Sequence, residues 1–277
     1  MKTRQIVIEK IGYALGDGRE DLWSLTEKAL SSLLALPSSL STSSLFGGVI
    51  AATFSNPERF PSLAVRVASV LGLRPETPAF DLQMACSAYP YAVYLAGRLA
   101  ADTGKRVLVV NGDVQTPLVD AADHATGGIF SDAVTCSVVS SPADGSGESA
   151  FAFLSRYDAA ALACTAGGPI RMDGMKVFTF VATEVRAFLA RFLDGLEPEE
   201  RASLAAFVPH QANPYMVRQL AKSLALEDRL VKLDEAVRNP GSCSIPLALA
   251  KSGVKGRVLV AGFGAGYSAA AGLVDVL

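Results

Sequence analysis

The chain is 277 residues long, half of them hydrophobic, with 25 basic and 27 acidic side chains for a net charge of −2. That length holds one large domain or two fused halves, and a charged fraction of 19%, below the roughly 25% of ordinary soluble chains, implies layers buried on both faces or a surface covered by a partner. Disorder is excluded, a near-neutral chain carries no electrostatic footprint for nucleic acid, and no apolar run approaches the roughly 18 residues of a membrane span.

The first ten residues alternate charge with aliphatic side chains and lack the apolar stretch of a signal peptide, so a cytoplasmic protein is expected. In chain order the pattern predicts a strand at 5–8, a helix at 23–34, a strand at 45–54 and helices at 62–71 and 88–101. Strands at 106–111, 133–139 and 151–157 follow, then a helix at 177–194, a strand at 205–208, helices at 214–224 and 245–251, and a strand at 257–261. Val107-Leu108-Val109-Val110 is apolar without alternation, as in strands covered on both faces. The fold class is α/β.

Features recur at a near-constant spacing. Asn56-Pro57 and Asn213-Pro214 lie 157 residues apart, Asp81 and Asp234 lie 153 apart, Cys86 and Cys243 157, and Arg106 and Arg257 151. The chain therefore reads as two copies of one α/β half, residues 1–144 and 145–277, joined at the turn-rich stretch 140–149.

Four cysteines, Cys86, Cys136, Cys164 and Cys243, show neither CxxC spacing nor nearby histidines, so neither a disulfide framework nor a metal site is expected. Cys86 precedes an apolar helix with Pro90 in its first turn. There the helix dipole favours a reactive thiolate of lowered pKa; the alternative is a small buried side chain at a tight turn. His210 falls between a strand and a helix, where α/β folds place their sites, or it is a surface or capping histidine. His124 reads as a solvated loop residue. Asn239 in Asn239-Pro240-Gly241 is chemically a turn residue. Gly262-Phe263-Gly264-Ala265-Gly266 lacks the order of a dinucleotide fingerprint and reads as a tight bend between packed strands.

These stretches together carry a resemblance. Ala85-Cys86-Ser87-Ala88, Asn111-Gly112-Asp113, Pro209-His210-Gln211-Ala212-Asn213, Asn239 with Ser244-Ile245-Pro246-Leu247-Ala248-Leu249, and Ala261-Gly262-Phe263-Gly264-Ala265-Gly266 are similar to the β-ketoacyl-[acyl carrier protein] synthase III family of the thiolase-like superfamily. The resemblance implies a thiolase-like fold of two pseudo-symmetric halves in a layered αβαβα core. It implies an acyltransferase of fatty acid or polyketide biosynthesis: Cys86 takes the acyl group from a thioester, and a malonyl thioester then loses CO₂ and condenses with it. His210 and the Asn239 amide would donate to the enolate oxygen, and the backbone N–H groups of Cys86 and Ala265 would form the hole for the acyl oxyanion. No cofactor is implied beyond acyl and malonyl thioesters of carrier protein or coenzyme A.

The chain also departs from the family. It runs from Gly16-Asp17-Gly18-Arg19 almost directly into the helix at 23–34, where family members carry a longer segment that helps bind coenzyme A. Tyr215 stands where the family often has an arginine, leaving Arg218 and Lys222 on that helix as carrier-docking candidates or as ordinary solvated charges. The partners implied are acyl carrier protein or acyl-coenzyme A, and a second chain in a homodimer or in a heterodimer with a ketosynthase homologue; nucleic acid and membrane are not expected. The competing function is a non-catalytic, or acyl-transfer-only, subunit that pairs with a full-length homologue.

Overall fold

The computed structural model describes residues 1–35, 45–123, 126–143, 147–165 and 167–277. His124 and the expected boundary between residues 144 and 145 lie outside the described residues.

β1 (Lys2–Arg4) and β2 (Val7–Leu15) open the chain, followed by β3 (Phe46–Ala52), β4 (Ala79–Leu82), β5 (Arg106–Asp113) and β6 (Ala133–Ser140). β7 (Glu148–Asp158), the short hairpin β8 (Leu162–Cys164) and β9 (Ile170–Met172), β10 (Ala206–Pro209), β11 (Gly256–Gly264) and β12 (Gly266–Val276) complete the strands. One order appears twice. In the first part β4, β3 and β5 are parallel, and β6 and β2 continue antiparallel. In the second, Leu230 bridges β10 in parallel, β10 pairs β11 in parallel, and β12 and β7 continue antiparallel. β12 pairs β2 at Asp275–Val7 and Val276–Ile8, joining the two sets into one strongly bent sheet. β1 crosses over to pair with β7.

Side-chain alternation sorts the core into layers. Val107 and Val109 of β5, Val258 and Val260 of β11, and Val274 of β12 face an inner layer made by the helices Ala88–Thr103 and Ser244–Ser252. Leu108 and Val110 face the opposite way, onto the helices Leu22–Leu34 and Leu63–Val70. Leu259 and Ala261 face outward onto the helical stretch 174–194 and the helix Pro214–Ser223. The stack is αβαβα. The inner helices are apolar nearly all round because a sheet covers them on both sides. In the first, Tyr89, Ala92, Val93, Ala96 and Ala100 are all buried. Each fully buried aliphatic or aromatic side chain is worth about 1.5–3 kcal/mol.

Four expectations change. In place of the strand expected at 5–8 there are two, β1 and β2, separated by Gln5 and Ile6; Gln5 Nε2 donates to Asp275 Oδ2 at 2.9 Å. The strand expected at 257–261 is not the last: β11 runs on through Gly262 and Gly264 to the expected tight bend at Ala265, and Gly266 opens a further strand, β12. The helix at 177–194 begins at Gly174 and contains one π turn, Val181–Val185. The cysteine pairing Cys86–Cys243 is out by one residue. The short turn before each inner helix starts on a residue of positive φ, Ala85 (43°) or Gly241 (58°), and the helices start at Ala88 and Ser244. Cys86 therefore corresponds to Ser242, and Ser87 to Cys243.

Candidate active site

Cys86 is held on the one-turn 3₁₀ segment Ala85–Ser87 that links β4 to the inner helix. Ala85 takes a left-handed backbone, which for a residue with a Cβ costs of order 1–3 kcal/mol and persists where surroundings enforce it. Those surroundings include Ser87, whose hydroxyl donates to Met84 O at 2.8 Å and lies 2.7 Å from Ser268 Oγ. Ser268 Oγ in turn donates to Ala265 O at 2.8 Å, tying the β11–β12 junction to the nucleophile turn. Two glycines of β11 let that turn approach. A Cβ on Gly264 would sit 3.0 Å from Cys86 Cβ, and one on Gly262 would sit 2.9 Å from both Cα and O of Ser87.

The expectation of a lowered Cys86 pKa does not hold. Burial first, and the charge of Asp113 second, push the thiol from an ordinary 9.0 up to about 12, against a small lowering by its own backbone amide. That rise corresponds to about 4 kcal/mol, which exceeds the 0.3–1 kcal/mol typical of a helix-terminus charge interaction. Cys86 rests as a thiol.

His210 follows β10, and its N–H donates to Ala261 O at 2.7 Å, continuing the ladder with β11. Its Nδ1 lies 2.7 Å from Ser244 Oγ, the first residue of the second inner helix, and that oxygen accepts the Gln211 N–H at 3.2 Å. Phe263 meets the imidazole edge-on at 5.5 Å. Burial drives the ring pKa down to about 3, against a small opposing effect of the Gly241 backbone, so the ring is neutral at physiological pH.

Asn239 is pinned on every backbone polar group. Its N–H donates to Ile129 O at 3.1 Å, and its carbonyl accepts from Ser131 N at 3.1 Å and from Gln115 Nε2 at 3.2 Å. Its side-chain Oδ1 accepts the Gly241 N–H at 3.0 Å, leaving Nδ2 as the group it can offer elsewhere.

Cys86, His210 and Asn239 line one cavity of about 330 Å³, bringing side chains from both sides of the molecule to a single space. Its walls come from Ile129 and Phe130 before β6, Leu162 and Met172 of the β8–β9 hairpin, Val177 and Phe178 of the helix Gly174–Phe180, and Tyr215 and Met216. Cys86 is 6% exposed, whereas Tyr215 is 57% exposed, so the cavity runs from the interior to the surface. Tyr215 stacks on Phe178 with centroids 6.4 Å apart at that end. Among the described residues, none lining the cavity is Asp, Glu, Lys or Arg.

Arg218 and Lys222 are exposed, one turn apart, on the helix that carries Tyr215, outside the cavity lining. Arg218 pairs with Glu235 at 3.8 Å. Ala265 directly follows Gly264 beside Cys86. Sequence reading missed the support of His210 by Ser244, although the Ser-Ile-Pro stretch was visible, and the wall supplied by β8 and β9, whose short strands carry no periodic signal. Cys243 has no place on the cavity: its thiol donates to Asn111 O at 2.8 Å, and Cys136 is a buried β6 residue. Among the described residues there is no cluster of His, Cys, Asp or Glu able to hold a metal.

An αβαβα scaffold of two like halves, with cysteine, histidine and asparagine on one deep cavity, defines a thiolase-like protein. The chain belongs to the 3-oxoacyl-[acyl-carrier-protein] synthase III family: residues 80–156 match the family's synthase III model, and residues 197–276 match its C-terminal model. It is 32% identical over 256 residues to a mycobacterial β-ketoacyl-[acyl-carrier-protein] synthase III of Mycobacterium marinum, covering 84% of this chain and 75% of that one. It is 30% identical over 220 residues to the β-ketoacyl-[acyl-carrier-protein] synthase III of Rickettsia bellii, covering 76% and 69%. Among solved structures, the 3-oxoacyl-(acyl carrier protein) synthase III of Pseudomonas aeruginosa PAO1 superposes with a TM-score of 0.84 at 26% identity, covering 99% of this chain and 98% of that one. The priming β-ketosynthase of the R1128 polyketide pathway shares the fold, with a TM-score of 0.83 at 24% identity over 98% of this chain and 97% of that one. No helix among the described residues is long and apolar enough to cross a membrane.

Proposed function

We propose that the chain is a ketosynthase III-type acyltransferase that loads an acyl group on Cys86 and condenses it with a decarboxylating malonyl thioester. The observation that carries this reading is the convergence of Cys86, His210 and Asn239 on one cavity with apolar walls. In the first step the Cys86 sulfur bonds to the acyl carbon, the thioester C–S bond breaks, and the thiol proton leaves with the departing thiol. The backbone N–H groups of Cys86 and Ala265 receive the tetrahedral oxyanion. In the second step the malonyl C–C bond breaks, its electron pair forms the enolate, and CO₂ leaves. The enolate carbon then bonds to the acyl carbon and expels the Cys86 thiolate. All the electrons come from the substrates and Cys86, so the chemistry calls for no cofactor.

His210 and Asn239 serve the enolate oxygen as donors. We assign the Ser244 hydroxyl as donor to Nδ1, the tautomer that puts the ring proton on Nε2, where a donor to the enolate oxygen is needed. A ring with its pKa near 3 stays a neutral donor and does not remove protons at physiological pH. Loss of one such donor typically slows the step by about 10²–10³.

Mass spectrometry after incubation with acyl thioesters should find an adduct on Cys86 that Cys86→Ala lacks. His210→Ala and Asn239→Ala should still acylate but stop releasing CO₂ from a malonyl thioester. Absence of labelling at every chain length would instead favour the non-catalytic partner subunit. For delivery, the exposed Arg218 and Lys222 suit an acidic carrier protein. Arg218→Glu with Lys222→Glu is expected to raise KM about tenfold for carrier-bound substrate and leave a short soluble thioester unaffected; an equal effect on both removes the docking role.

For assembly, β4 ends the strand order among the described residues, with Phe80 40% exposed on it, which suits pairing with a second copy along that edge. Sedimentation should give a dimer that Phe80→Glu dissociates. A wild-type monomer that dimerises only with a homologue would replace the homodimer by a heterodimer.

A further inference from the structure

The two strand ends that face the active-site turns differ in one chemical respect. β11 meets the Cys86 turn with glycines, Gly262 opposite Ser87 and Gly264 opposite Cys86. β5 meets the corresponding turn, Gly241–Cys243, with Asn111 and Asp113. Cys243 Sγ donates to Asn111 O at 2.8 Å, and Ser242 Oγ donates to Asp113 Oδ2 at 3.1 Å. Where one strand leaves room for the nucleophile, the other grips its counterpart.

Asp113 is fully buried. Its Oδ1 accepts the Phe54 N–H at 2.8 Å and the Thr53 hydroxyl at 3.1 Å, so the carboxyl group is anchored to the segment after β3 and reaches across the seam with its other oxygen. Ser242 follows Gly241, whose N–H holds Asn239 Oδ1. Two residues beyond Asp113, Gln115 holds the Asn239 carbonyl. A buried carboxyl group accepting three hydrogen bonds, one of them 129 residues away in sequence, is more than strand termination requires.

We propose that Asp113 is a positioning residue for the condensation step: by holding Ser242 it fixes the Gly241 N–H and thereby the direction in which the Asn239 amide is offered to the enolate oxygen. This rests on the roles given above to Cys86, His210 and Asn239. The chain of bonds ends on Asn239, so it governs loss of CO₂ and not acylation of Cys86.

The test measures both steps, adduct formation on Cys86 and CO₂ release from a malonyl thioester, in wild type and variants. Asp113→Ala is expected to acylate within about threefold of wild type and to release CO₂ at least about tenfold more slowly. Ser242→Ala, which cuts the same bond from the other side, should show the same split even if Asp113→Ala folds poorly. Asp113→Asn should recover most of the rate, since its oxygen can face Phe54 and Thr53 and its amide can donate to Ser242 Oγ. Added to Asn239→Ala, Asp113→Asn or Ser242→Ala should cost nothing further. An equal loss in both steps, or a full additional loss on top of Asn239→Ala, overturns the inference while leaving the condensation reading intact. A wild type that acylates but releases no CO₂ overturns both.

Discussion

Asp113 and His210 respond to falling pH in opposite senses. His210 is depressed from 6.5 to about 3 on folding, so below pH 6.5 the unfolded chain takes up a proton that the native protein refuses. Stability then falls by about 1.4 kcal/mol per pH unit. Asp113 is raised from 3.8 to about 6, chiefly by burial, so between pH 6 and 3.8 the native protein holds a proton that the unfolded chain does not. That contribution grows as pH falls and reaches about 3 kcal/mol. Over this window the two nearly cancel. The Phe54 N–H and the hydroxyls of Thr53, Ser242 and Ser55 face the carboxyl group and oppose that rise, and its charge in turn raises the Cys86 and Cys243 thiols. Replacing Asp113 by Asn removes only the rising contribution. Urea denaturation should therefore show wild type gaining about 2.4 kcal/mol on Asp113→Asn between pH 7 and pH 4; a constant difference across that range would mean the carboxyl group stays ionised. At this scale the sequence was informative about identity and silent about environment. Cys86, His210 and Asn239 could be picked from their motifs, but the local stretch left the thiol either acidic at a helix end or buried at a tight turn, and the fold decides for burial. The bond between Asp113 and Ser242 was equally hidden, since it spans 129 residues.

Among the elements, β11 and the nucleophile turn set each other's position. A Cβ on Gly262 would meet the Cα and O of Ser87 at 2.9 Å and Pro90 Cδ at 3.0 Å, and backbone atoms there have no rotamer by which to retreat. Gly262→Ala is expected to destabilise the fold by about 1–3 kcal/mol and to slow acylation of Cys86. As a control, Gly72→Ala, whose Cβ would meet nothing within 4 Å, strains only its own backbone at φ 64° and should leave acylation unchanged. Chemical denaturation with adduct formation separates the two, and equal acylation in both would show that the turn tolerates displacement. Elements with a strong local signal were legible: the inner helix expected at 88–101 is Ala88–Thr103, and the continuous valine run is β5. β12 was not. Its Ser268-Ala269-Ala270-Ala271-Gly272 segment has weak strand propensity, and it is a strand because β11 and β7 supply both edges.

For the whole molecule, the repeat in sequence does not make two independent folding units. The inner core mixes Val107 and Val109 of β5 with Val258 and Val260 of β11 around helices from both copies. Either copy alone would expose the apolar face that the other covers. β1 pairing with β7 and β12 pairing with β2 interlace the copies further. Such an arrangement is expected to unfold as one cooperative transition despite its size, because each copy's sheet ladders rest on an inner layer built from both copies. The single tryptophan provides a local probe of one of the outer layers. Trp23 lies on the helix Leu22–Leu34, packed against the first copy's outer face with Arg66 over its ring at 3.9 Å. Its fluorescence reports that layer, whereas far-ultraviolet circular dichroism reports all the helices. The two urea curves should coincide in midpoint and slope. A tryptophan transition well before the dichroism change would mean that the first copy's outer layer opens by itself and that the seam carrying Cys86, His210 and Asn239 is less strongly coupled than its shared core implies.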